Sequence, residues 1–160
     1  FFVLAVRIFH PELSWEAERF LGISIPEIPH MASILLILLD VLVVLYIHEL
    51  IHAFVFYLSS RQKPTVGIRG LIIYAAAPGR IVQKQAMILN GLAPFTVISL
   101  LGILLFALVP SHGIPWIFIP VLVNASASAG DFMLIRWISK HPGHAVYKDE
   151  GDITHAYVNK

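Results

Sequence analysis

The sequence predicts an all-α integral membrane protein, a bundle of three spanning helices with a small β-hairpin or strand between the first two. Three observations predict it. Of the 160 residues 58% are hydrophobic and only 13% charged, and the mean hydropathy is +0.79, a balance found in membrane proteins and not in soluble domains. Segments 32–58, 86–109 and 114–138 each reach the roughly 20 apolar residues that about 30 Å of hydrocarbon demands. The charges collect between these runs, so the runs read as spans and not as the core of a soluble fold.

Taken in order, residues 1–9 are largely apolar but too few to cross a bilayer, and the start at Phe1 reads as part of something longer. It lacks the charged segment, apolar stretch and small-residue cleavage site of a signal peptide. Segment 11–22 holds Trp15, Glu16, Glu18, Arg19 and Phe20, a pattern suited to a short interfacial helix, which Pro26 and Pro29 interrupt before the first span. In the connection 59–85, residues 65–74 are β-branched or apolar and punctuated by Gly67 and Gly70, which predicts the hairpin or strand. The turn 110–113 is short, so the second and third spans should be antiparallel neighbours. The domain reading is an interfacial segment 1–30, a membrane domain 31–140 and a tail 141–160.

Charge sets the expected orientation. The 59–85 loop carries Arg61, Lys63, Arg69, Arg80 and Lys84 with no acid, and Arg136, Lys140, Lys148 and Lys160 follow at the end of the third span. The turn 110–113 has no Lys or Arg, and the N-terminal stretch is acid-rich. Cationic loops are retained in the cytoplasm, so loop and tail are expected inside, in a multi-pass protein of a prokaryotic plasma membrane. A net charge of +1 gives no concentrated basic face, which sets nucleic acid aside as a partner. With no cysteine, a bound metal must use His, Asp or Glu.

The first span contains His48-Glu49-Leu50-Ile51-His52. On an α-helix, residues four apart lie about 40° apart around the axis and about 6 Å along it, so both imidazoles can reach one ion. Glu49 then sits beside the metal without ligating it, the place for a general base, because zinc acidifies water and a carboxylate can take the proton. Chance supplies this pattern only about 0.02 times in such a chain. Ionisable side chains in a span cost roughly 2.5 kcal/mol or more near its centre, so they call for a partner, and a cation is one. The bland alternative is that the three residues only hydrogen-bond neighbouring helices.

A catalytic zinc commonly has three protein ligands and an open position. Asp131 is the only acid in the third span and follows Ala125, Ala127, Ala129 and Gly130, small residues that let helices approach. His52 lies 6 residues before Leu58 and Asp131 7 before Ile138, so both sit about 10 Å from the cytoplasmic ends of spans running the same way. Asn124, Ser128 and Asp131 recur at i, i+4, i+7 as one polar stripe expected to face the histidines. Asn124 would hold substrate backbone or an oxyanion, or else pack helices. Asp40 is expected to serve structure or access. His141 and His144, just beyond the third span, compete with Asp131 as third ligand; His112 lies at the outer turn, and His10 and His30 lie outside the spans.

With His48-Glu49-x-x-His52 in one span and Gly130-Asp131 in another, the chain resembles the Putative zincin peptidase family and is similar to the wider site-2 protease class. The resemblance runs from about residue 32 onward and takes in Leu92-Ala93-Pro94 and the run 124–131. It implies zinc as cofactor, His48, His52 and Asp131 as ligands, Glu49 as base and a peptide or membrane-protein substrate. Site-2 proteases carry an Asn-Pro-Asp-Gly type segment where this chain has Ala129-Gly130-Asp131-Phe132. The resemblance also suggests that segment 65–74 offers an edge to an extended substrate by strand addition. Two other classes remain: a divalent-metal transporter, which three spans could form only by oligomerising, and a non-catalytic metal-stabilised binder, for which Glu49 would have no use. Oligomeric state is not legible in the sequence.

Overall fold

The computed structural model describes residues 1–13, 15, 30–60, 65–69, 72–76, 81–149 and 153–158. Three helices are long and apolar enough to cross a membrane, Met31–Ser60, Lys84–Leu108 and Ser111–Ser139. In chain order the elements are α1 (Phe2–Phe9), α2 (His30–Ser60), β1 (Thr65–Arg69), β2 (Ile72–Ala76), β3 (Ile81–Gln83), α3 (Lys84–Leu108), a 3-10 turn (Ser111–Gly113), α4 (Ile114–Ala127), α5 (Ala129–Ser139), β4 (Val146–Asp149) and β5 (Thr154–Tyr157). The expected interfacial helix over 11–22 lies, apart from residues 11–13 and 15, outside the described residues, as do Pro26 and Pro29. Ile34, Leu35, Leu38, Leu39 and Leu42 of α2 are all more than half exposed, the arrangement of a helix whose surroundings are hydrocarbon.

The chain divides into two compact units, Phe1–Leu45 with Val97–Ser126, and Tyr46–Thr96 with Ala127–Lys160. In the first, Val6 of α1 packs with Phe106, Ile114 and Phe118 into a buried cluster. The 3-10 turn joins α3 to α4 as expected, and the two helices pack tightly: a Cβ on Gly102 would fall 2.6 Å from Val121 Cγ2. A polar clasp ties the N-terminal segment to this turn. His10 Nε2 donates to the Phe106 carbonyl at 2.7 Å, and the Ser111 hydroxyl donates to Glu12 Oε1, which lies 3.3 Å from His10 Nδ1. The Ser111 hydroxyl, the Glu12 backbone and His10 hold the Glu12 carboxyl below its ordinary pKa.

In the second unit β1 and β2 pair antiparallel, Gly67 opposite Tyr74, the hairpin expected between the first two spans. The region read as a tail does more than trail. β4 lies between β3 and β5 in an antiparallel sheet, with Val82 opposite Tyr147 and Tyr147 opposite Ala156. Val82 and Tyr147 join Phe56, Met87, Ile138 and Ala145 in a buried cluster, so the sheet closes over the ends of α2, α3 and α5. The Tyr147 hydroxyl donates to the Ile138 carbonyl at 3.2 Å, and burial pushes its phenol pKa up. Lys84 at the start of α3 donates to the Ser139 carbonyl, which the C-terminus of α5 leaves without an intrahelical partner, and to the His141 carbonyl just beyond the helix.

The third span is a single stretch long and apolar enough to cross a membrane, Ser111–Ser139, within which α4 and α5 meet at Ser128, a residue in the right-handed α conformation (φ −66°, ψ −4°) whose carbonyl accepts from the Phe132 N–H at 3.0 Å.

Candidate metal centre

Helix α2 places His48 and His52 one turn apart, and both are buried, at 5% and 8% exposure. Their rings meet edge to face with centroids 4.9 Å apart and their Nε2 atoms 3.2 Å apart. Asp131, in the first turn of α5, brings Oδ2 to 3.3 Å from His48 Nε2 and Oδ1 to 3.4 Å from His52 Nε2. Among the described residues these three form the group of His, Cys, Asp or Glu side chains whose donor atoms could hold a metal, all within 4.8 Å of one another.

Helix α3 supports both sides of the group. The His52 Nδ1 lies 3.0 Å from the Asn90 carbonyl oxygen. A carbonyl can only accept, so Nδ1 carries the proton, and a neutral ring then has a bare lone pair at Nε2. The next residue, Gly91, has no side chain where α5 passes: a Cβ there would meet Ile135 at 3.0 Å and the Asp131 carbonyl oxygen at 3.6 Å. Asn90 thus orients a histidine while Gly91 lets the helix that carries the carboxylate come close.

The donor set fits zinc. Two imidazole nitrogens and a carboxylate are the ligands of a catalytic zinc site with an open fourth position. The two Nε2 atoms stand 3.2 Å apart and face different oxygens of one carboxylate, His48 toward Oδ2 at 3.3 Å and His52 toward Oδ1 at 3.4 Å, and one ligand atom from each residue lies within 4.8 Å of the others. Asp131 Oδ2 is buried with no hydrogen-bond partner, although it lies within ion-pair distance of His48. A buried carboxylate oxygen without a donor is costly, and a cation between the rings and the carboxylate removes that cost.

Glu49 is half-buried on α2 beside His48. Asn124 is fully buried on α4, in the first unit. The competitors of Asp131 lie elsewhere: His141 packs its ring on Trp137 and Tyr147, with Nδ1 3.1 Å from the Trp137 carbonyl, and His144 is exposed. His112 is exposed at the 3-10 turn, His10 belongs to the N-terminal clasp, and the side chain of His30 lies outside the described residues. Sequence reasoning did not find Asn90 or Gly91. A main-chain carbonyl carries no residue-type signal, and a glycine in a span has too many uses to single one out.

A family model described as Putative zincin peptidase matches residues 41–146, a stretch that includes His48, Glu49, His52, Asn90 and Asp131. No curated protein and no solved structure matches the chain.

Proposed function

The chain belongs to the Putative zincin peptidase family, and from that premise we propose that it is a membrane-embedded zinc metallopeptidase, similar to site-2 proteases, that cleaves peptide bonds of membrane-associated substrates. The observation that carries this reading is the convergence of His48, His52 and Asp131: the two Nε2 atoms are 3.2 Å apart, each lies 3.3 to 3.4 Å from one oxygen of the carboxylate, and Oδ2 is buried without a hydrogen-bond partner.

His48, His52 and Asp131 would hold the zinc, and Glu49 is the general base. Zinc supplies Lewis acidity there, polarising a peptide carbonyl and making water a stronger nucleophile at neutral pH. Glu49 takes the proton of the attacking water and delivers it to the departing amine nitrogen, so that one water and one peptide bond become a carboxylate and an amine. His52 is kept with its proton on Nδ1 by the Asn90 carbonyl, and Asp131 holds negative charge against the two rings. His52 and Asp131 each lie eight residues before the end of their helices, Ser60 and Ser139, about 12 Å in at 1.5 Å per residue. At that depth a spanning substrate helix shields its own peptide bonds, so a substrate must unwind locally to be cut.

Orientation belongs to the same proposal: the 59–85 loop and the tail face the cytoplasm. The cationic loop argues for it, and the pairing of β3, from the end of that loop, with β4 of the tail requires both to lie on one side.

The test uses purified protein in liposomes with a library of fluorogenic transmembrane-segment peptides, the products identified by mass spectrometry in ¹⁸O-labelled water. The expected result is a single label on each new C-terminus, a loss of at least 100-fold in rate in Glu49→Gln, and unchanged zinc content in that variant. Zinc flux across the liposomes without cleavage would replace this reading with transport, and full activity in Glu49→Gln would remove the proposed base.

A further inference from the structure

In an α-helix each carbonyl accepts from the N–H four residues on. Helix α3 runs without interruption from Lys84 to Leu108 through Pro94, and proline has no N–H. Asn90, four residues earlier, therefore has a main-chain carbonyl that its own helix cannot satisfy. The site is buried, with Asn90, Gly91 and Pro94 all shielded, so water is a poor substitute. The group that takes this carbonyl is the His52 ring, through Nδ1 at 3.0 Å.

We propose that Pro94 is a positioning residue for the metal centre: by removing one backbone N–H from α3 it frees the Asn90 carbonyl to hold His52 in the tautomer whose Nε2 lone pair faces His48 and Asp131. The inference rests on the reading of these three residues as a zinc site. It assigns the proline a task beyond bending a helix. A neutral imidazole with its proton on Nε2 would turn an N–H toward the ion and could not ligate through that atom. An alanine at position 94 would offer its own N–H to the Asn90 carbonyl and compete with the ring for it.

The experiment compares the full-length protein with Pro94→Ala, with Pro120→Ala as a second intrahelical proline change, and with a variant in which an α-hydroxy acid replaces Pro94, so that an ester stands where the N–H would be. Zinc affinity is measured by chelator competition in detergent, and the tautomer of His52 by ¹⁵N spectra of metal-free, histidine-labelled protein, assigned with His52→Ala. Expected are a His52 protonated at Nδ1 in the wild type, a mixture of tautomers and zinc binding weaker by about tenfold or more in Pro94→Ala, recovery to near wild type in the ester variant, and no change in Pro120→Ala. Zinc affinity within about twofold of wild type and an unchanged tautomer in Pro94→Ala would overturn the proposal. Should Pro94→Ala not fold, the wild-type spectrum still decides, because a proton on His52 Nε2 contradicts the assignment. If the wild type binds no zinc, the metal-centre reading falls by itself, whereas a tautomer that ignores residue 94 in a zinc-binding protein removes only the role of the proline.

Discussion

Gly91→Ala puts the helix packing behind the metal centre to a quantitative test. The new methyl would stand 3.0 Å from both Cδ1 and Cγ1 of Ile135 and 3.6 Å from the Asp131 carbonyl oxygen. Carbon atoms in contact prefer about 3.5–4.0 Å, so Ile135 or the whole of α5 must retreat by a few tenths of an ångström. Ile135 lies one turn beyond Asp131 on α5, and a retreat of the helix carries the carboxylate with it. Catalytic and ligand constellations tolerate only about 0.5 Å of displacement, and overpacking of this kind costs about 1–3 kcal/mol. The expected outcome is zinc binding weakened by about tenfold, equal to about 1.4 kcal/mol, in chelator competition, with a lowered thermal midpoint in the metal-free protein. Ile135→Ala in the same chain removes the obstructing atoms, so the double variant should bind zinc more tightly than Gly91→Ala alone. Wild-type affinity and stability in Gly91→Ala would refute the claim that the close approach of α3 and α5 sets the position of Asp131.

Three further outcomes follow from the geometry. Tyr147→Phe removes the hydroxyl that donates to Ile138 and should destabilise the protein by about 0.5–1.5 kcal/mol in denaturant titration, a loss confined to the second unit if amide exchange is followed by residue. The Glu12 carboxyl is held below its ordinary pKa chiefly by the Ser111 hydroxyl, so its contribution is present above the unfolded-state pKa and disappears as pH falls through the lower folded value; α1 should exchange its amides faster over that acid window in the wild type, and Glu12→Gln should flatten this dependence. Removing zinc with a chelator should lower the thermal midpoint, and added zinc should restore it in the wild type but not in a His48→Ala, His52→Ala double variant.

The spans could be read from the sequence because hydrocarbon imposes a length that few other structures need, and the HExxH histidines because residues four apart on a helix face one way whatever surrounds them. Asp131 was found by depth: a lone acid as far from its span's end as His52 is from its own. The sheet built from β3, β4 and β5 escaped notice because a three-residue strand has no measurable periodicity and its partner comes more than sixty residues later. Segment 141–160 was expected only as a tail, yet Tyr147 is fully buried. Pro94 was visible throughout, but its consequence lies in a carbonyl four residues back and a ring 42 residues away, which only the fold brings together.

The central claim, that these imidazoles and this carboxylate share one zinc, is tested most directly by zinc content and zinc-edge X-ray absorption of the purified protein beside Asp131→Ala. The expected wild type holds one zinc per chain with two imidazole nitrogens and carboxylate oxygen in its inner shell, and the variant loses most of the metal or shows one protein oxygen fewer. A zinc stoichiometry and absorption spectrum that do not change when Asp131 is removed would contradict it.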